Sequence, residues 1–276
     1  MDDVWDAARA ANRARWDESA PLHAASALYD LEGVRAGADH LRPYEPRELG
    51  PVAGLDLVHL QCHIGTDTLS WARRGARVTG LDFSAASLEV ARSLAADCGL
   101  EARWVCADVY DAVAALGERR FDVVYTGIGA LVWLPELGPW AEVVAALLRP
   151  GGVLYLVEIH PMVGAVADDG RTIVEDVLGA RYRRWEERDG TYAAPGAQLR
   201  HTASYERQHG LGDVLSAVLD AGLVIELFHE HAATDAPWPW AERGSDGLYR
   251  LPPEFPSYPL AYSLRARAPA HGAVAP

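Results

Sequence analysis

Between residues 55 and 160, five short apolar runs alternate with segments of helical period, and no other feature constrains the fold as much. The runs are 57–61, 77–81, 103–106, 121–125 and 153–159. Each is rich in Val, Leu or Tyr and largely apolar rather than alternating, as strands buried on both faces are. The helices between them are marked at both ends. Thr66 is placed to cap the first, Asp67 suits its positive end, Arg73 and Arg74 its last turn, and Gly75 its stop. Ser84 is placed to cap the second, which Gly99 closes, and the third runs from near Pro135 to Leu148, where Pro150-Gly151-Gly152 ends it. Strands alternating with helices give a parallel sheet with right-handed crossovers.

The flanking segments are less regular. Residues 1–50 read as a helical N-terminal cap, in which A-A-R-A-A-N-R-A-R-W-D-E favours helix and Pro43 and Pro46 punctuate the later part. Residues 51–160 form the core, and 161–210 an insertion on the acceptor side, with strand-like pieces about an Asp189-Gly190 turn. Residues 211–267 complete the sheet through a helix (211–221), the strand L-V-I-E-L-F-H-E and a last strand at 260–267, interrupted by a Trp- and Pro-rich loop, 232–258. The tail 268–276 reads as flexible. The whole is expected to be a single domain of 276 residues.

Every basic residue is arginine, and the formal net charge is −14. Such a chain is repelled by phosphate backbones, so a small-molecule partner is expected and nucleic acid is not, the longest basic cluster being Arg181, Arg183 and Arg184. No apolar run reaches the roughly 18 residues of a membrane span, and no membrane partner is expected. The start M-D-D-V-W-D has no secretory h-region, so the expected location is cytoplasmic. Cys62, Cys98 and Cys106 form no disulfide framework. The oligomeric state stays open between monomer and homodimer.

In an open sheet of this kind the ligand sits beyond the carboxyl ends of the strands. Three features meet there: the loop Gln61-Cys62-His63-Ile64-Gly65-Thr66, Asp82 ending V-T-G-L-D, and Asp108 in A-D-V. Asp82, 17 residues after Gly65, can accept both hydroxyls of a ribose. Asp108 can accept from an adenine amino group, with Val109 offering backbone. Gln61 and His63 occupy ground that a dinucleotide pyrophosphate needs as glycine, which weighs against NAD and FAD. The absence of lysine excludes a P-loop. S-adenosylmethionine (SAM) is an adenosine without phosphates, and its tail carboxylate suits a helix N-terminus. The i, i+4 spacing of His59 and His63 suits metal ligands on a helix, not in a strand and turn, so no metal is expected.

The order H-L-Q-C-H-I-G, Leu81-Asp82, Ala107-Asp108-Val109, Phe121-Asp122-Val123-Val124 and Leu148-Arg149-Pro150-Gly151-Gly152 resembles the class I SAM-dependent methyltransferases. L-Q-C-H in the loop and N-R-x-x-W-D near the start resemble a bacterial small-molecule branch of that family. The resemblance implies an α/β Rossmann-like fold: a mostly parallel seven-stranded sheet with an antiparallel last strand, helices on both faces, and insertions after strands five and six. It implies methyl transfer from SAM to a small-molecule acceptor, with S-adenosylhomocysteine (SAH) as product. Cofactor contacts are expected from Trp16, His59, Gln61, Cys62, His63, Gly65, Thr66, Asp82, Phe83, Asp108, Val109 and Thr126. The chain departs from the family where His59 replaces the usual first acid and where Gln61 and His63 replace two glycines.

Transfer is an in-line displacement at a sulfonium, and an O–H or N–H acceptor is helped by a base. His160, ending strand five, is the first candidate, with His209 and His231 next; His201 and His229 are further histidines of the same region. Tyr29, Arg42, Trp133, Tyr205 and Trp238 are candidate acceptor contacts, with Trp240 beside the last. Two alternatives remain open to the sequence: a SAM- or nucleoside-binding protein without turnover, and a nicotinamide-dependent oxidoreductase.

Overall fold

A computed structural model describes residues 2–178, 182–186 and 190–270. All five apolar runs are strands: β1 (Asp56–Leu60), β2 (Arg77–Asp82), β3 (Ala102–Cys106), β4 (Phe121–Thr126) and β5 (Leu148–Ile159). With β6 (Val224–His231) and β7 (Ala261–Arg267) they form one sheet in the order β6-β7-β5-β4-β1-β2-β3. Only β7 runs against its neighbours. The major helices are α1 (Asp2–Ala24), α2 (Thr66–Arg73), α3 (Ala85–Asp97), α4 (Leu137–Leu147) and α5 (Leu211–Asp220).

The apolar runs fail to alternate because both faces of the sheet are covered. Val58 and Leu60 pack with Trp140, Val144 and Leu147 of α4 and Val218 of α5. Leu57, from the same strand, packs on the other face with Trp71 of α2, Tyr125 and Tyr155. Burying each such side chain is worth about 1.5–3 kcal/mol, which a one-sided sheet would forgo on alternate residues.

The helix boundaries correct two expectations. Thr66 is the first residue of α2, not its cap; Gly65 precedes it in the left-handed region with φ 82°. A Cβ there would lie 2.6 Å from the Trp104 ring and 2.9 Å from Ala91 Cβ, so both backbone and packing require glycine. Helix α4 starts at Leu137 because Glu136 is still extended. Ser84 does cap α3, accepting from Ser87 N at 3.0 Å.

The insertion holds two short strand pairs, Arg183–Glu186 with Ala203–Glu206 and Gly190–Thr191 with Ala194–Pro195. Arg181 and Asp189, and with Asp189 the expected turn, lie outside the described residues, as do 271–276 of the tail. Ala268, by contrast, is buried and its backbone bonds Gly151 and Gly152. Loop 232–258 carries a small three-stranded sheet and a cluster of Trp238, Trp240, Phe255 and Tyr258.

Candidate active site

The loop after β1 has the backbone of a glycine loop without the glycines. Gln61 (φ 57°), His63 (φ 48°) and Gly65 all occupy the left-handed region. For a residue with a Cβ this costs roughly 1–2 kcal/mol. Specific bonds offset it. Gln61 Nε2 donates to Ala130 O at 3.0 Å, and His63 N donates to Asp82 Oδ2 at 2.8 Å. The His63 ring lies 3.1 Å from Ser87 Oγ through Nδ1 and 2.9 Å from His23 Nδ1 through Nε2. Cys62 is buried, its thiol pushed up by that burial, and its sulfur faces the bare Cα of Gly80.

Asp82 joins the loop to the next strand. Its second oxygen accepts from Ser84 N at 2.8 Å, and burial pushes its carboxyl up to about 6. A carboxylate has about four lone-pair sites, so room for two further donors remains. Asp108 is also buried; it accepts from Tyr110 N at 3.0 Å and lies 3.7 Å from Arg9 Nε. Phe83 sits beneath the Arg13 guanidinium. The Val109 side chain is core, which leaves its backbone for a ligand. Leu60 and Thr126 are paired across β1 and β4, where the strand order changes direction. There Gln61 Oε1 and Thr126 Oγ1 are buried without a partner. Such orphans cost about 1–3 kcal/mol each unless a ligand meets them. Together with Asp82 they fit the adenosine and amino-acid ends of SAM.

His59 is buried and neutral, its pKa lowered to about 4 by desolvation. Its Nδ1 lies 2.8 Å from Thr68 Oγ1, and its ring edges onto Tyr125. Arg42 lies in the same region but is not free for an acceptor. Its guanidinium bonds Glu45 and Asp67, each at 3.1 Å, and Asp235 of loop 232–258.

Helix α1 lies along this edge and grips both sides of it, through residues that sequence reasoning missed. Asn12 exchanges two bonds with the Tyr205 backbone (2.8 and 2.9 Å), and Arg15 reaches the carbonyls of Gly190, His201 and Thr202. On the other side Asp17 Oδ1 accepts from Ser84 Oγ at 2.7 Å and Ala86 N at 3.2 Å. Between them Trp16 touches His63 and Trp133, with ring centroids 4.9 and 5.1 Å away. The N-R-x-x-W-D motif was the available signal: its Asn12 and Asp17, with Arg15 at one of its variable positions, dock the cap. Tyr29 stacks on His23 and its hydroxyl meets that of Tyr192 at 2.5 Å. A cavity of about 60 Å³ remains, lined by Trp16, Ser19, His23, Trp133, Thr191 and Glu206 among others.

Residues 58–152 match a family described as a methyltransferase domain. Over these residues and in its fold the chain resembles the class I SAM-dependent methyltransferases. Curated relatives include the ubiquinone biosynthesis O-methyltransferases of Methylobacterium sp. (29% identical over 60% of this chain and 64% of that one) and Klebsiella pneumoniae (30% over 57% and 63%). The chain thus spans slightly less than two thirds of the length of these relatives. Among solved structures it resembles a SAM-dependent methyltransferase from Mesorhizobium loti, at 22% identity and TM-score 0.54 over 84% of this chain and 99% of that one. It also resembles the glycopeptide N-methyltransferase MtfA complexed with SAM, at 16% identity and TM-score 0.53 over 84% and 96%. At these identities the structures speak for the fold alone.

The three histidines singled out as bases are all engaged. His160 caps the short helix Pro161–Ala165, its Nδ1 accepting from Met162 N at 3.1 Å, and its Nε2 lies 3.0 Å from Glu230 without hydrogen-bond alignment. His209 meets Leu134 O at 2.8 Å and ties the end of the insertion to the loop after β4. His231 stacks on Tyr44 and meets Ser263 Oγ at 2.8 Å. His229 shares that face through Glu48. Tyr205 stacks on Tyr182, and Trp238 belongs with Trp240 to the separate cluster of loop 232–258. The structure therefore gathers Trp16, His63, Tyr29 and Trp133 with His23, and leaves Trp238 and the three histidines outside that group.

Proposed function

We propose that the chain transfers a methyl group from SAM to a small-molecule acceptor in the cytoplasm, as a single domain. In this reading ribose meets Asp82, adenine meets Asp108 and the Val109 backbone, and the amino-acid end lies over Gln61, His63 and Gly65 toward α2. SAM supplies an electrophilic methyl on a sulfonium. The chain supplies alignment and exclusion of water through α1 and the insertion. The acceptor's reacting end meets Trp16 and Trp133. The net charge of −14 favours a small molecule over nucleic acid.

One observation carries the reading most. A loop that replaces two glycines still holds their left-handed conformation, and Asp82 fastens it by a backbone bond while keeping lone pairs free. Isothermal titration with SAM and SAH tests it. Two charge-assisted bonds to ribose hydroxyls are worth about 1.5–3 kcal/mol each, so Asp82→Ala is expected to weaken both ligands by about 100-fold or more. Absence of binding to the wild-type chain would end the proposal.

A further inference from the structure

With the sequence-derived histidines engaged, the acid–base group left at the cavity is a carboxylate. We propose that Glu206 takes the acceptor's proton, and that the acceptor presents a hydroxyl on a planar ring at the cavity that Glu206, Trp16 and Trp133 line. The inference rests on the methyltransferase reading and adds its base and its acceptor class.

Glu206 ends the insertion strand Ala203–Glu206 and lines the cavity together with both indoles. Its carboxylate makes no hydrogen bond or ion pair among the described residues, although cations stand close by. Arg183 is its direct cross-strand partner, yet the Arg183 guanidinium bonds Glu175. Arg15, on the cavity wall, is within Coulombic reach but directs its guanidinium to backbone carbonyls. Arg207, next in the chain, turns to Pro135 O. Glu206 is half-buried, so its carboxylate keeps an open side at the cavity, where a ligand hydroxyl can donate to it.

Two other titratable groups facing the cavity are committed. His23 is neutral, desolvation lowering it to about 4, and its two ring nitrogens meet His63 and Thr191 Oγ1. Tyr192 is bonded to Tyr29. Burial moves the Glu206 carboxyl up against the pull of Arg15, toward the range in which a base works near neutral pH. The acceptor class is set by what a base is for. A neutral amine attacks with its own lone pair, whereas a neutral hydroxyl is a poor nucleophile until its proton is withdrawn. At about 60 Å³ the space takes only the reacting end, since whole ligands occupy roughly 300 Å³ or more.

The step balances. The hydroxyl oxygen's lone pair forms the new O–C bond from the side opposite sulfur. The C–S bond breaks with its pair passing to sulfur, and the O–H proton goes to a Glu206 carboxylate oxygen. SAM, the hydroxyl and the carboxylate become SAH, the methyl ether and the carboxylic acid.

The test uses the full chain, SAM, and two probes at mildly alkaline pH, phenol and 4-nitrophenol, with methyl ethers counted by mass spectrometry. Wild type is expected to methylate both. Glu206→Gln is expected to lose phenol turnover by about 100-fold or more, and to lose turnover of the already ionised 4-nitrophenol by less than about 10-fold. Glu206→Asp should restore part of the phenol rate, and SAH affinity should be unchanged in both variants. Equal losses on the two probes, or none on either, would overturn the role of Glu206. Turnover of neither probe by a wild-type chain that binds SAH would overturn the acceptor class. A wild type that binds no SAH would instead count against the methyltransferase reading.

Discussion

The two edges of the central sheet carry opposite electrostatics. At the amino edge of β1, Asp56 meets Arg77 at 2.6 Å and Arg149 at 2.7 Å, while Asp122 meets Arg149 at 2.6 Å. The hydrogen bonds from Arg77 and then Arg149 hold Asp56 down to about 2. At the carboxyl edge, burial pushes Asp82 up to about 6 and both Glu158 and Glu45 up to about 7. Among the described residues Glu158 has only backbone partners, the N–H groups of Gly129, Leu131 and Ile159. Charges at the amino edge are wet and paired, which suits solubility and a little stability. Those at the carboxyl edge are dry and partly met by N–H groups, an arrangement unfavourable for the empty fold and useful for holding a ligand. A single sheet thus separates stability from function by edge.

The largest expected break in that contrast is Gly65→Ala. The left-handed φ costs roughly 1–2 kcal/mol and the collision with Trp104 and Ala91 a further 1–3, so a loss of about 3 kcal/mol is expected in urea unfolding. A loss below about 1 kcal/mol would mean that the loop yields, and that its shape is not what the carboxyl edge depends on.

Next is pH. In the proposed function SAM meets the Asp82 carboxylate, and burial pushes that carboxyl up to about 6. SAM affinity is therefore expected to drop about 10-fold for each unit below 6, with Asp82→Asn weak and flat across the same range. Calorimetry at several pH values checks this, and a flat wild-type profile would remove Asp82 from the binding step. For stability the sign is reversed. A raised carboxyl favours the fold at low pH, and that contribution is lost as pH rises from the unfolded value through 6.

The contrast was only partly legible in the sequence. The sheet was, because each strand is a local apolar run and each helix carries its own stop. The acids Asp82 and Asp108 were, because strand ends can be read from the same runs. The cap was not, since Asn12 pairs with Tyr205 and Asp17 with Ser84 across long separations. The settings of the histidines were hidden for a related reason. His160 has a local partner, Met162 N, which the adjacent Pro161 at a helix start could have suggested, but His209 and His231 are occupied by Leu134 and Ser263, far along the chain. Glu206 could not be found at all, because its having no partner among the described residues depends on where Arg15 and Arg183 point.

A smaller effect sharpens the comparison from the histidine side. His23 falls to about 4 in the fold because it is desolvated, with Arg15 adding to this. The unfolded chain takes its proton near 6.5, so the stabilising contribution of neutral His23 is full above that value and is lost as pH falls toward 4. His23→Asn keeps an acceptor toward His63 and removes the titration. Its acid-unfolding midpoint should move down by a few tenths of a pH unit, about 0.3, relative to its own stability at neutral pH. An unchanged midpoint would place the acid sensitivity elsewhere.

The smallest effect belongs to the amino edge. Asp56→Asn removes one carboxylate from a network in which Asp122 still meets Arg149 and still accepts from the backbone N–H of residue 56. Partly exposed ion pairs contribute about 0–1 kcal/mol, so the urea midpoint should barely move, and less in high salt. SAM affinity should not change, because β1 separates this carboxylate from Gln61 by its whole length. A change in affinity here would couple the two edges through the strand, and charge at the wet edge would then have to be counted among the determinants of the site.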